Sequence, residues 1–137
     1  MKSISSSSPT SERGVHPCRN SIRWRGGARA RAVLIVVRDG DKIIGPRFIE
    51  MLEEIDARGS IRAAAASLGI GYRHALAWIR RAEMLVGQSL VERHAGGPAG
   101  GGARLTAKAH RVTRAYRRVN SSIYRLVERA EREILDT

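Results

Sequence analysis

The chain has 137 residues, 42% of them hydrophobic but only 4% aromatic, so its core must be built mostly from Ala, Val, Ile and Leu. Twenty-five basic residues against 13 acidic ones leave a formal charge of +12, which points to a polyanionic partner and puts nucleic acid ahead of a membrane surface. A lone cysteine, Cys18, excludes an intramolecular disulfide, and the longest apolar run, Ala32 to Val37, falls far short of the roughly 20 residues a membrane span needs. The expected location is the cytoplasm, in association with the nucleoid and without membrane contact.

Residues 1–31 read as a disordered basic arm: Ser-rich at the start, broken by Pro9 and Pro17, and carrying half of the net charge. Residues 32–105 read as one compact unit. It opens with Ala32–Val37, a β-branched run that predicts a strand, followed by the turn Asp39-Gly40-Asp41 and a short return strand, Lys42 to Ile44. Pro46 suits the first turn of a helix in which Phe48, Met51, Leu52 and Ile55 recur at helical spacing up to Arg58-Gly59. Ser60 caps a short helix, Ile61 to Leu68; Gly69 supplies a tight turn; and a third helix is expected from Tyr72 to Val86, closed by Gly87. A strand at Leu90–Arg93, a Gly-rich loop and a return strand at Ala103–Leu105 complete the unit. Residues 106–137 read as one long helix capped by Thr106.

The stretch from Ser60 to Glu83 carries the strongest functional signal. Ala64 and Ala65 are small enough for two helices to cross closely, Gly69 permits the positive φ of a three- to four-residue turn, and Leu68, Ile70, Ala75 and Ile79 pin the second helix to the core. The opposite face of that helix offers Tyr72, Arg73, His74, Ala77, Arg80 and Arg81, a set suited to guanine edges and phosphates in a major groove. Ser60 and Arg62 at the first helix, with Arg93, Gly97, Gly100, Gly101 and Arg104 in the hairpin, complete the candidate DNA-binding residues. The Gly-rich loop does not read as a nucleotide cradle, because Ala103-Arg104 stand where Lys and then Ser or Thr would be needed. The histidines and Cys18 show no metal-ligand spacing, no residue grouping suggests a nucleophile, and so neither a catalytic residue, a metal nor a cofactor is expected. The fold class is mainly α with small β, a winged helix-turn-helix with an N-terminal hairpin and a long C-terminal helix.

This order of elements resembles the DNA-binding domain of molybdate-responsive transcription regulators of the ModE type, and more loosely the helix-turn-helix of LysR-type regulators. The resemblance covers about Ala32 to Arg118 and rests on Asp39-Gly40, Ile44-Gly45, Leu52-Glu53-Glu54-Ile55-Asp56, Gly59-Ser60-Ile61, Ala64-Ala65, Leu68-Gly69-Ile70, Tyr72-Arg73, Ala75 and Leu90-Val91-Glu92-Arg93. Gly96-Gly97 and the run Gly100 to Thr106 extend it into the wing, its most specific piece. It implies sequence-specific binding to double-stranded DNA in transcription regulation. Two positions depart from the family pattern: Gly71 stands where Ser is usual, removing an N-cap side chain, and Leu76 stands where Trp is usual. The family's small molybdate-binding β domains have no counterpart in these residues, so molybdate binding is not expected of this chain.

Along the last helix, Leu105, Ala109, Val112, Tyr116, Val119, Ile123, Leu126 and Ala130 alternate in steps of four and three. Val112 through Ala130 therefore form a candidate dimerisation seam, and a homodimer is expected. Two other classes fit part of the pattern: an RNA- or ribosome-associated basic protein, and a dimeric adaptor that holds another regulator through the long helix.

Overall fold

The computed structural model describes residues 30–95 and 102–135. Within them the elements run β1 (Val36–Arg38), β2 (Asp41–Ile44), α1 (Pro46–Arg58), α2 (Ile61–Ser67), α3 (Tyr72–Val86), β3 (Val91–His94), β4 (Gly102–Leu105) and α4 (Ala107–Leu135). The fold is a winged helix-turn-helix extended by a long helix. β1 and β2 pair antiparallel as one hairpin, and β3 and β4 pair antiparallel as another, the wing.

The core collects on α1. Its apolar positions Phe48, Ile49, Met51, Leu52 and Ile55 are fully buried, and Ile61, Ala64 and Ala65 of α2, Ala75, Ile79 and Ala82 of α3, Leu90, and Leu105 of the wing close around them. The alanines in α2 and α3 are what permit this crossing: side chains at the contact end at Cβ, so the helix axes approach closely. A leucine at Ala64 would overfill a site with no exposed surface. Gly59 (φ +68°) stops α1 in the left-handed conformation and donates its N–H to Ile55 O, and Gly69 (φ +66°) makes the turn between α2 and α3. Ser60 caps α2 through its hydroxyl, which accepts from Ala63 N–H at 3.1 Å.

Two expectations change. The β-branched run beginning at Ala32 is strand only from Val36; ahead of it, the backbone of Ala30 and Leu34 bonds to α4 instead. Ala30 N–H donates to the carboxylate of Glu131, a side chain only 3% exposed, and the Tyr116 hydroxyl donates to Leu34 O at 2.9 Å. With these contacts made to a helix, the segment has no ladder to join. Tyr116, placed in the dimerisation seam from its spacing, is buried in the monomer, and Val112 packs against the same core.

Past Tyr116, α4 leaves the core. Arg117 binds Glu53 of α1 through two parallel hydrogen bonds of 2.7 and 2.8 Å, and beyond this Val119, Leu126, Ile134 and Leu135 are exposed. No helix among the described residues is long and apolar enough to cross a membrane, and among them no group of three His, Cys, Asp or Glu side chains is placed to hold a metal ion.

Candidate nucleic-acid interface

α3 is held by its inner face and free on its outer one. Ala75, Ile79 and Ala82 are buried, one or two per turn, and Trp78 fixes the rotation of the helix. Its indole N–H donates to Ile43 O of β2 at 2.8 Å, and its ring lies 5.4 Å from that of Phe48. On the outer face Arg73, His74, Ala77, Arg80 and Arg81 are exposed. Among the described residues Arg73, Arg80 and Arg81 have no acidic partner, so three guanidiniums face solvent from one side of one helix with their hydrogen-bonding capacity unspent. Gly71 leaves the N-terminus of α3 without a side-chain cap; only its carbonyl engages, accepting from Ala75 N–H at 3.0 Å.

The turn ahead of α3 is fixed from below. Ile70 N–H donates to Ala65 O at 2.8 Å, and the guanidinium of Arg47 on α1 donates to Leu68 O at the end of α2. This bond is charge-assisted, which makes it stronger than one between neutral groups, and it ties α1 to the turn.

The wing is attached at both ends. Glu83, one turn before the end of α3, accepts from Leu90 N–H at 2.8 Å and Val91 N–H at 3.3 Å. On β4, Ala103 N–H donates to Gly59 O at 2.8 Å, beside the cap of α2. In the register Val91↔Leu105, Glu92↔Arg104, Arg93↔Ala103, the period of two turns Val91, Arg93, Ala103 and Leu105 toward the helices and Glu92 and Arg104 away. Arg93 accordingly reaches α3, where its guanidinium donates to the Tyr72 hydroxyl at 3.4 Å. The same tyrosine ring carries Arg62 of α2, whose guanidinium carbon lies 4.2 Å from the ring centroid.

Most of the residues singled out in the sequence are thus brought to one side of the molecule by α2, α3 and β3. Arg104 lies on the outer face of the wing and is paired with Glu92 at 3.1 Å. That pair is exposed and worth about 1 kcal/mol at most, so a phosphate can displace it. The Ser60 hydroxyl is occupied as a helix cap. Gly97, Gly100 and Gly101 lie outside the described residues, as does the arm up to residue 29. The sequence reading missed Arg47, Trp78 and Glu83. None touches the outer face, yet they set where α3 and the wing stand.

Residues 46–110 match the family model of the bacterial regulatory helix-turn-helix protein, LysR family. The chain is similar to the molybdenum-pterin-binding protein MopB of Rhodobacter capsulatus, 31% identical over 108 residues that make up 79% of this chain and 39% of the relative. It is also similar to the transcriptional regulator ModE of Yersinia pestis, 41% identical over 71 residues, 52% of this chain and 27% of the relative. With the DNA-binding transcriptional dual regulator ModE of Escherichia coli K12 it shares 36% identity over 85 residues, 61% of this chain and 32% of that protein. The chain spans between about a quarter and two fifths of the length of these relatives.

Proposed function

We propose that this chain, which carries a ModE-type DNA-binding domain, acts as a transcription regulator that reads double-stranded DNA in a sequence-specific way through the outer face of α3. The observation that carries the reading is the set of three arginines, Arg73, Arg80 and Arg81, that have no acidic partner among the described residues and stand on a helix whose other face is locked to the core. Such a helix enters a major groove as a rigid rod, and arginine reaches guanine O6 and N7 with two parallel bonds. Arg73, in the first turn, leads base recognition; Arg80, Arg81, Arg62 and Arg93 contact phosphates, and Arg104 joins them on release from Glu92. The basic residues of the arm, where half of the net charge sits, add affinity without sequence preference. The protein works in the cytoplasm on the nucleoid.

Selection of bound duplexes from a random pool tests the reading. The wild type enriches a defined sequence, and Arg73→Ala flattens the preference at one position, where the discrimination is about 1–3 kcal/mol. Equal weakening on every sequence would make Arg73 a phosphate contact instead.

Two copies joined along the distal half of α4 form the working unit, and the regulated site is an inverted repeat. The support is the apolar edge of that helix, on which Val119 and Leu126 are exposed, Ile123 is half-buried and Ala130 is exposed. Changing Val119 and Leu126 together to Asp leaves the monomer intact, because both side chains already face solvent, and makes the protein sediment as a monomer. A variant that stays dimeric places the joint elsewhere.

A further inference from the structure

Tyr72 stands in the first turn of α3, where a direct contact to a base would be the simplest role. Its surroundings assign it differently. One part of the ring packs against the core, Arg62 lies over the ring, and the hydroxyl accepts from Arg93. A base stacking there would have to displace Arg62, and a base hydrogen-bonding there would compete with Arg93. The residue is therefore occupied on its ring and at its tip, in both cases by a guanidinium.

The two arginines come from different elements. Arg62 belongs to α2, and Arg93 belongs to the wing strand β3. Each guanidinium repels the other, and what draws them together is a ring quadrupole for one and a phenol oxygen for the other. Neither contact uses up the charge. Both cations keep donors free, and an anion placed between them would relieve the repulsion while accepting from both. The wing base that carries Arg93 is fixed by Ala103 N–H to Gly59 O and by Leu90 N–H to Glu83, so Arg93 approaches Tyr72 from an anchored strand.

We propose that Tyr72 is a positioning residue that holds Arg62 and Arg93 over one stretch of the DNA phosphate backbone, and so couples the wing to the helix-turn-helix. This rests on the DNA-binding reading above and deepens it. Tyr72 reads no base; it pre-orders two long side chains that would otherwise lose rotamer freedom when they meet phosphate.

The test uses the full chain and its selected duplex, with affinity measured across a series of potassium chloride concentrations. Tyr72→Phe keeps the ring beneath Arg62 and removes the oxygen that Arg93 uses. Its affinity should fall on the order of 5-fold, the effect of one hydrogen bond. Its salt slope should fall toward that of Arg93→Gln, by up to about 0.9, the value of one phosphate contact. A change of salt slope from the loss of an uncharged oxygen is something a purely structural role would not produce. Tyr72→Phe combined with Arg93→Gln should bind no more weakly than Arg93→Gln alone, and thermal melting should show the Phe variant as stable as the wild type. A wild type that binds while Tyr72→Phe leaves the slope unchanged, or a double variant whose losses multiply, overturns this assignment alone. A wild type that binds no duplex selectively overturns the DNA-binding reading and this inference with it.

Discussion

The unit from Pro46 to Leu105 and the distal half of α4 use the same few residue types in opposite ways. In the first, apolar side chains are inside and arginines outside: Leu52 and Phe48 are fully buried while Arg73, Arg80 and Arg81 face solvent. In the second, Leu126 (65% exposed) and Val119 (48%) share the surface with Arg118, Arg125 and Arg129. An arginine on a closed unit is available to a polyanion, whereas an apolar stripe on an otherwise charged helix is unfinished packing. The molecule therefore divides into a head, closed by β2 and by Ala109 and Tyr116 of α4, and a distal helix that keeps apolar side chains on its surface.

Substitutions sharpen that division. The largest expected effect is in the head: Leu52→Ala empties a fully enclosed site on α1 and should cost about 2–5 kcal/mol in denaturant unfolding. The matching change on α4, Leu126→Ala, should shift monomer stability by no more than about 0.5 kcal/mol, since its side chain faces water. Equal costs at the two sites would erase the distinction. Next in size is Ser60→Ala, which removes the hydroxyl that caps α2 and should cost about 1 kcal/mol, with Ser60→Asn recovering most of it.

The smallest effect concerns acid. Glu54 is held below the usual carboxylate range, first by the hydrogen bond from Arg58 and then by that from Ser67. Its folded pKa is depressed, so the stability it contributes is present above the unfolded value near 4.5 and is lost as pH falls through the lower folded value. Glu54→Gln should therefore be slightly less stable than the wild type at neutral pH, and the gap should close in acid. A gap that persists at the lowest pH would mean the contribution is packing and not charge.

The head was largely legible because its boundaries are written in residues with one conformational use. Pro46, Gly59, Ser60, Gly69 and Gly87 sit at helix ends or turns, and α3 runs over Tyr72–Val86 as its punctuation predicts. The segment 30–35 was not legible as a strap, because a β-branched run signals extended backbone whether its neighbour is a strand or a helix. Tyr116 falls into the apolar seam by spacing for a related reason. Heptad spacing identifies an apolar stripe but not which of its positions the monomer covers, and here Tyr116 is buried while Val119 is exposed. Glu83 looked like one more surface charge; the signal available was its place one turn before the glycine that ends α3, within reach of the first N–H groups of the wing. Trp78 sits at the border between outward-facing Ala77 and buried Ile79, and its anchoring to Ile43 O depends on a hairpin far away in sequence.

The measurement that tests the account most directly is hydroxyl-radical footprinting of the full chain on the duplex it selects. Two heads joined along α4 should protect two short backbone segments on one face, with centres about one helical turn apart, on the order of 34–36 Å. Arg73→Ala should need more protein to give that pattern on the selected duplex, with random duplexes bound as well as by the wild type. Protection of a single segment at undiminished affinity would contradict the joined pair, and uniform protection of selected and random duplexes alike would contradict sequence reading by α3.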